Sequence, residues 1–119
     1  MRNFKNLEIW NHGIQIVKQV YKLSQKFPAD EKFGLISQIS RAAVSIPSNI
    51  AEGFERETTK EFIRFLYIAK ASSGEFRSQL YLAFDLDYMT KDEFSKLNLK
   101  VNEVSKLISG LIIYLNSTL

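Results

Sequence analysis

Few residues in this chain can do chemistry. His12 is the only histidine and there is no cysteine, which excludes disulfides, thiolate nucleophiles and a Cys/His zinc site. His12 falls on the polar arc of a helix, where it reads as a surface residue. Glu52 and Glu75 could act as general acid and base, but no nucleophile, oxyanion donor or glycine-rich phosphate loop accompanies them. No catalytic, cofactor-binding or metal-binding residue is predicted, and no small-molecule substrate is expected.

Two polar constellations remain. Lys18, Lys22 and Lys26 recur every fourth residue along one edge of a helix, and residues 1–28 hold five basic side chains against one acidic, Glu8. Such a stripe can neutralise the phosphates of RNA or DNA. No aromatic residue interleaves with the lysines, so base stacking on a single strand is not indicated. The second constellation pairs Gln38 and Arg41 with Glu75 and Gln79, each pair about one helical turn apart. Because buried polar groups must find partners, it predicts a buried network joining two helices and giving their packing specificity.

The elements that hold these residues follow one period. Apolar residues recur at 3-4 spacing in four segments. The first carries two parallel stripes: Leu7, Trp10, Ile14, Val17 and Tyr21, read as the core face, and Ile9, Ile16, Val20, Leu23 and Phe27. Leu35, Ile39, Ala42, Ile46 and Ile50 serve the second segment. Phe62, Leu66, Ala69, Ser73, Phe76, Leu80 and Ala83 serve the third, and Phe94, Leu97, Val101, Val104, Ile108, Leu111 and Leu115 the fourth. Nothing alternates at period two, so no sheet is expected.

The breaks agree. Thr58 with Glu61 and Thr90 with Glu93 read as capping boxes at the starts of the third and fourth helices, and Met89 with Phe94 as a hydrophobic staple. Phe27-Pro28 closes the first helix. Pro47 lacks the amide of a helix interior and collides with the carbonyl of Ala43, so it should kink the second helix. Gly53 reads as a left-handed cap at that helix's end. Short connections imply antiparallel neighbours. The prediction is an all-α, up-and-down antiparallel four-helix bundle over residues 1–119, with helix two kinked at Pro47.

The 119 residues are 45% apolar with a net charge of +3, enough for one small core. The charge permits a nucleic-acid partner without arguing for one. M-R-N-F-K-N-L-E lacks the apolar stretch of a signal peptide, and L-I-S-G-L-I-I-Y-L is about half the length that spans a bilayer. No membrane association and a cytoplasmic location are expected.

The patterns G-L-I-S-Q-I-S-R-A-A-V-S-I-P-S-N-I-A-E-G at 34–53 and F-I-R-F-L-Y-I-A-K-A-S-S-G-E-F-R-S-Q-L-Y-L-A-F-D-L at 62–86 resemble the S23-related four-helix bundle proteins, encoded by intervening sequences in large-subunit ribosomal RNA genes. The resemblance implies a ring of five chains, no enzymatic activity and an association with nucleic acid. Ser40 stands where that family often has a second arginine, and Asp87 where L-G-Y is usual.

Self-association is also expected from the residues alone. The apolar arc of the first helix is about twice the ~100° stripe a bundle core needs. Ile9, Ile16, Val20 and Leu23 are therefore predicted as the subunit interface, with Leu107, Ile112 and Tyr114 as a second surplus face. A scaffold without nucleic-acid binding is the alternative function.

Overall fold

A computed structural model describes residues 3–119. It contains four α-helices, α1 (Glu8–Ser24), α2 (Leu35–Phe54), α3 (Thr59–Asp85) and α4 (Lys91–Ser117), with single 3-10 turns at Phe4–Asn6 and Ala29–Glu31. No strand occurs among the described residues. The fold is an all-α four-helix bundle. The 27 residues of α3 and of α4, at about 1.5 Å each, measure about 40 Å, close to the molecule's 46 Å long dimension. The packing of α2 on α3 is the most extensive, and α1 and α4 meet to complete the bundle.

Side-chain caps set two of the helix starts. At α4 the box is complete: Thr90 Oγ1 accepts from the Glu93 amide at 3.1 Å, and Glu93 Oε1 accepts from the Thr90 amide at 2.9 Å. At α3 only half of it forms. Thr58 Oγ1 accepts from the Glu61 amide at 3.2 Å, but the Glu61 carboxylate turns to Arg64 Nε at 2.9 Å, and that hydrogen bond holds its carboxyl below the usual range. A nearby guanidinium outcompetes a backbone amide for the carboxylate because the charge-assisted bond is the stronger.

The core reverses the assignment of the two α1 stripes. Ile9, Ile16, Val20 and Leu23, predicted as subunit contacts, are 6%, 0%, 2% and 8% exposed and belong to the chain's own core. Leu7, Trp10 and Val17 flank that core half-buried, and Tyr21 is exposed. The physical reason lies at Gly13, on the same stripe as Ile9 and Ile16. A Cβ there would stand 3.2 Å from Cβ and Cδ of Pro47, so α1 lies on α2 with its Gly13 face inward. Period alone cannot choose between two apolar stripes; the close approach does. On α4 the surplus face also splits, since Ile112 is buried, Leu107 half-buried and Tyr114 exposed.

Two helix ends differ in kind. Gly53 is not a left-handed cap, because no glycine among the described residues has a positive φ. It is instead a contact glycine buried inside α2, against α3. The left-handed position is Asp87, with φ 62°. It closes α3 in a Schellman motif: the Tyr88 amide donates to the Ala83 carbonyl and the Asp87 amide to the Phe84 carbonyl, both at 2.9 Å. A residue with a Cβ is disfavoured there. Asp87→Gly is therefore expected to stabilise the fold by roughly 0.5–1 kcal/mol, read as a raised urea midpoint with unchanged slope.

Candidate nucleic-acid interface

The lysine edge of α1 does not stand alone. Lys18, Lys22 and Lys26, all exposed, line a groove of about 710 Å³ between α1 and α4. Lys100 faces them from α4, and Gln15 and Gln19 add amides. Glu93 is the one carboxylate in the lining, and it is already engaged. Lys26 Nζ donates to Glu93 Oε2 while the other carboxylate oxygen caps α4. The Lys26 hydrogen bond, and then the Thr90 amide, hold the Glu93 carboxyl below the usual range. Lys26 is thus tied to the bundle, whereas Lys18, Lys22 and Lys100 have no ion pair among the described residues.

Sequence reasoning found the α1 stripe and missed Lys100, because its place beside Lys18 and Lys22 depends on how α4 lies against α1. It also missed Gln19 Oε1, which is shielded from solvent and has no hydrogen-bond partner. The groove therefore offers three unpaired cations and one unsatisfied acceptor.

The second constellation is brought together but not buried. Gln38, Arg41, Glu75 and Gln79 line a single surface pocket, yet Gln38, Arg41 and Glu75 are exposed and Gln79 is half-buried. The predicted buried network does not form. On α2 the inward face is taken by Ile39, Ala42, Ala43 and Ile46, and on α3 by Ser73, Phe76 and Leu80, which turns the polar quartet outward. What joins α2 to α3 inside is smaller: Ser45 and Ser72 share a hydrogen bond at 2.8 Å, and Asn49 Nδ2 donates to Ser45 Oγ at 2.9 Å.

Glu31 is a further residue the sequence did not single out. Its Oε1 accepts from the amide of Leu35, the first residue of α2, at 3.2 Å, and its Oε2 accepts from the Tyr88 hydroxyl at 2.8 Å. The hydrogen bond to this carboxylate pushes the Tyr88 phenol up. The loop before α2 is thereby tied to the turn after α3. His12 is half-buried, 3.4 Å from Glu8 and 3.9 Å from Glu103, so it stands between α1 and α4 instead of facing open solvent. No group of three His, Cys, Asp or Glu side chains able to hold a metal ion exists among the described residues. No described helix is long and apolar enough to cross a membrane.

The architecture defines a four-helix bundle with a basic groove between α1 and α4. The chain belongs to the 23S rRNA-intervening sequence protein family, whose model matches residues 5–110. Its fold is similar to the crystal structure of a protein of unknown function from the S23 ribosomal protein family of Bacteroides thetaiotaomicron, with a TM-score of 0.79 and 24% identity over 87% of this chain and 97% of that one. No curated protein matches the chain.

Proposed function

We propose that this is a non-enzymatic, cytoplasmic protein whose antiparallel, up-and-down bundle, bent at Pro47, assembles into a ring and holds structured RNA by its backbone along the α1–α4 groove. The observation that carries the reading is the convergence of Lys18, Lys22 and Lys100 without a carboxylate to neutralise them. Lys18 and Lys22 are four residues apart, about 6 Å along the helix axis, and Lys100 adds a cation from the facing helix. Phosphate oxygens fit such a row. The family resemblance implies five copies, and a ring would multiply a weak basic groove into several contacts. The connections of four residues between α2 and α3 and five between α3 and α4 support the up-and-down course.

A scaffold that binds no nucleic acid is the second reading. Exposed apolar residues on α3, such as Ile68 and Leu82, favour it.

Binding of a labelled RNA hairpin at several salt concentrations separates the two. Three phosphate contacts per chain give a slope of log affinity against log salt of about −2.7. Lys18→Glu/Lys22→Glu should cost at least about tenfold at low salt and flatten the slope by about 2. Lys60→Glu, at the far start of α3, should change neither. Absence of binding at low salt, or a slope untouched by the double variant, rejects the groove and leaves the scaffold.

A further inference from the structure

We propose that Glu93 sets how much of a nucleic-acid backbone the lysine groove takes: it holds the anion position beside Lys26 and shuts a further phosphate out of the row. The inference rests on the groove reading above.

The row contains one anion of the chain's own. Lys18, Lys22 and Lys26 stand at four-residue steps on α1, about 6 Å apart along the axis, and Lys100 faces them from α4. The position beside Lys26 is already filled. Its Nζ donates to Glu93 Oε2, so a carboxylate presented from α4 takes the place that a phosphate would take against this lysine. The chain thus carries an internal stand-in for the ligand, an oxyanion held on the α1 lysine edge.

That carboxylate is anchored. Its other oxygen, Oε1, accepts from the Thr90 amide at 2.9 Å, and the Glu93 amide donates to Thr90 Oγ1 at 3.1 Å. Swinging it aside would leave an amide at the start of α4 without a partner and undo the capping box. The hydrogen bond from Lys26, and then that from Thr90, hold the carboxyl below its usual range, so it stays ionised at neutral pH. Glu93 is half-buried and Lys26 exposed, which makes the anion the fixed partner. A phosphate arriving at Lys26 would stand beside this fixed negative charge and be repelled. A backbone lying on Lys18, Lys22 and Lys100 therefore stops short of Lys26. The neighbouring Asp92 has no such role. Its carboxylate pairs with Lys96 at 3.2 Å, one turn along α4, and it does not line the groove.

Titration of the full-length chain with the labelled RNA hairpin at several salt concentrations tests the proposal. Glu93→Gln removes the charge and keeps the cap, because glutamine serves the same position of the box. Lys26 is then free to take a phosphate. The slope of log affinity against log salt should steepen by about 0.9, from about −2.7 to about −3.6, and affinity at low salt should rise about three- to tenfold. Asp92→Asn makes the same charge change one residue away, and should leave the slope unchanged and the affinity within about twofold. Lys26→Gln bares the Glu93 carboxylate in the groove and should weaken binding about threefold or more. The Lys26→Gln/Glu93→Gln double variant, with both charges gone, should return to within about threefold of wild type. Circular dichroism reports whether each variant is folded; if Glu93→Gln loses helicity, Lys26→Gln alone decides, and binding equal to wild type then overturns the proposal. A wild type that binds with the expected slope, beside a Glu93→Gln variant that gains nothing, overturns the exclusion and leaves the groove standing. A gain matched by Asp92→Asn, with no change of slope, reduces Glu93 to its share of the net charge and overturns the exclusion as well. A chain that binds no RNA at low salt, with or without Glu93, overturns both.

Discussion

Val20→Glu unfolds the chain. Val20 is 2% exposed, in one core with Ile16, Ile39, Ile46 and Ile108. The substitution forfeits the valine's burial, worth about 1.5–3 kcal/mol, and brings in a carboxyl group with no partner prepared for it. Ionised, it is an unpaired buried charge; protonated, it is a buried polar group without a hydrogen bond. The combined loss should exceed about 4 kcal/mol, a large part of the roughly 5–15 kcal/mol that holds a domain of this kind together. Thermal melting followed by circular dichroism should show a midpoint lowered by more than about 10 °C, or no folded baseline at all. A variant that melts like the wild type but has a smaller mass in solution would instead put Val20 at a subunit seam, as the α1 pattern alone suggested.

Gly53→Ala is expected to destabilise by about 2 kcal/mol, against the trend of helix propensity. In an open helix position, replacing glycine by alanine gains up to about 1 kcal/mol. At Gly53 the new Cβ would lie 2.6 Å from Cβ of Phe65, 3.1 Å from Cδ1 of Phe62 and 3.3 Å from the Phe62 carbonyl oxygen. Cβ of Phe65 is fixed by its backbone, so relief requires α2 and α3 to separate, and overpacking of this type costs about 1–3 kcal/mol. Separation would also disturb the Phe54–Phe62 ring contact and the packing of the Arg56 and Arg64 guanidinium groups over Phe65. Gly110→Ala is the matched control. It is helical and exposed, and a Cβ there meets nothing within 4 Å, so a gain of about 0.5–1 kcal/mol is expected. Equal gains at both positions in urea unfolding would mean that the helices do not approach closely at Gly53.

Much of the local structure was legible in the residues themselves. The 3-4 apolar spacing marked all four helices, and Thr58 and Thr90 marked the starts of α3 and α4, because a cap is a contact between residues three apart. Phe27-Pro28 marked the end of α1 to within three residues. The non-glycine turn at Asp87 was pointed to only by the family resemblance, in which L-G-Y is usual there, and not by the residues on either side. Lys18 and Lys22 could be found as a stripe because one helix carries both.

What sequence alone could not decide was every choice between surfaces. The two stripes of α1 are equally apolar, and the one that is buried is the one whose Gly13 lets α1 come down on Pro47. Gly53 looks like a helix cap to its chain neighbours, and only Phe65, twelve residues on and across the helix pair, makes it a contact. The polar quartet of Gln38, Arg41, Glu75 and Gln79 was correctly grouped but placed inside instead of outside, since a small rotation of two packed helices exchanges those fates while leaving each helix's periodicity unchanged. Lys100 joins the lysine edge, and Glu93 removes Lys26 from it, only after α4 is laid against α1. Periodicity and capping are set by contacts within a turn or two of the chain, so the sequence by itself determined the helices and their ends. Facing, burial and charge pairing are set by the rotation and approach of one helix on another, and those were decided by the tertiary structure, where steric fit at a few small residues outweighs hydrophobic patterns that are nearly equal on either side.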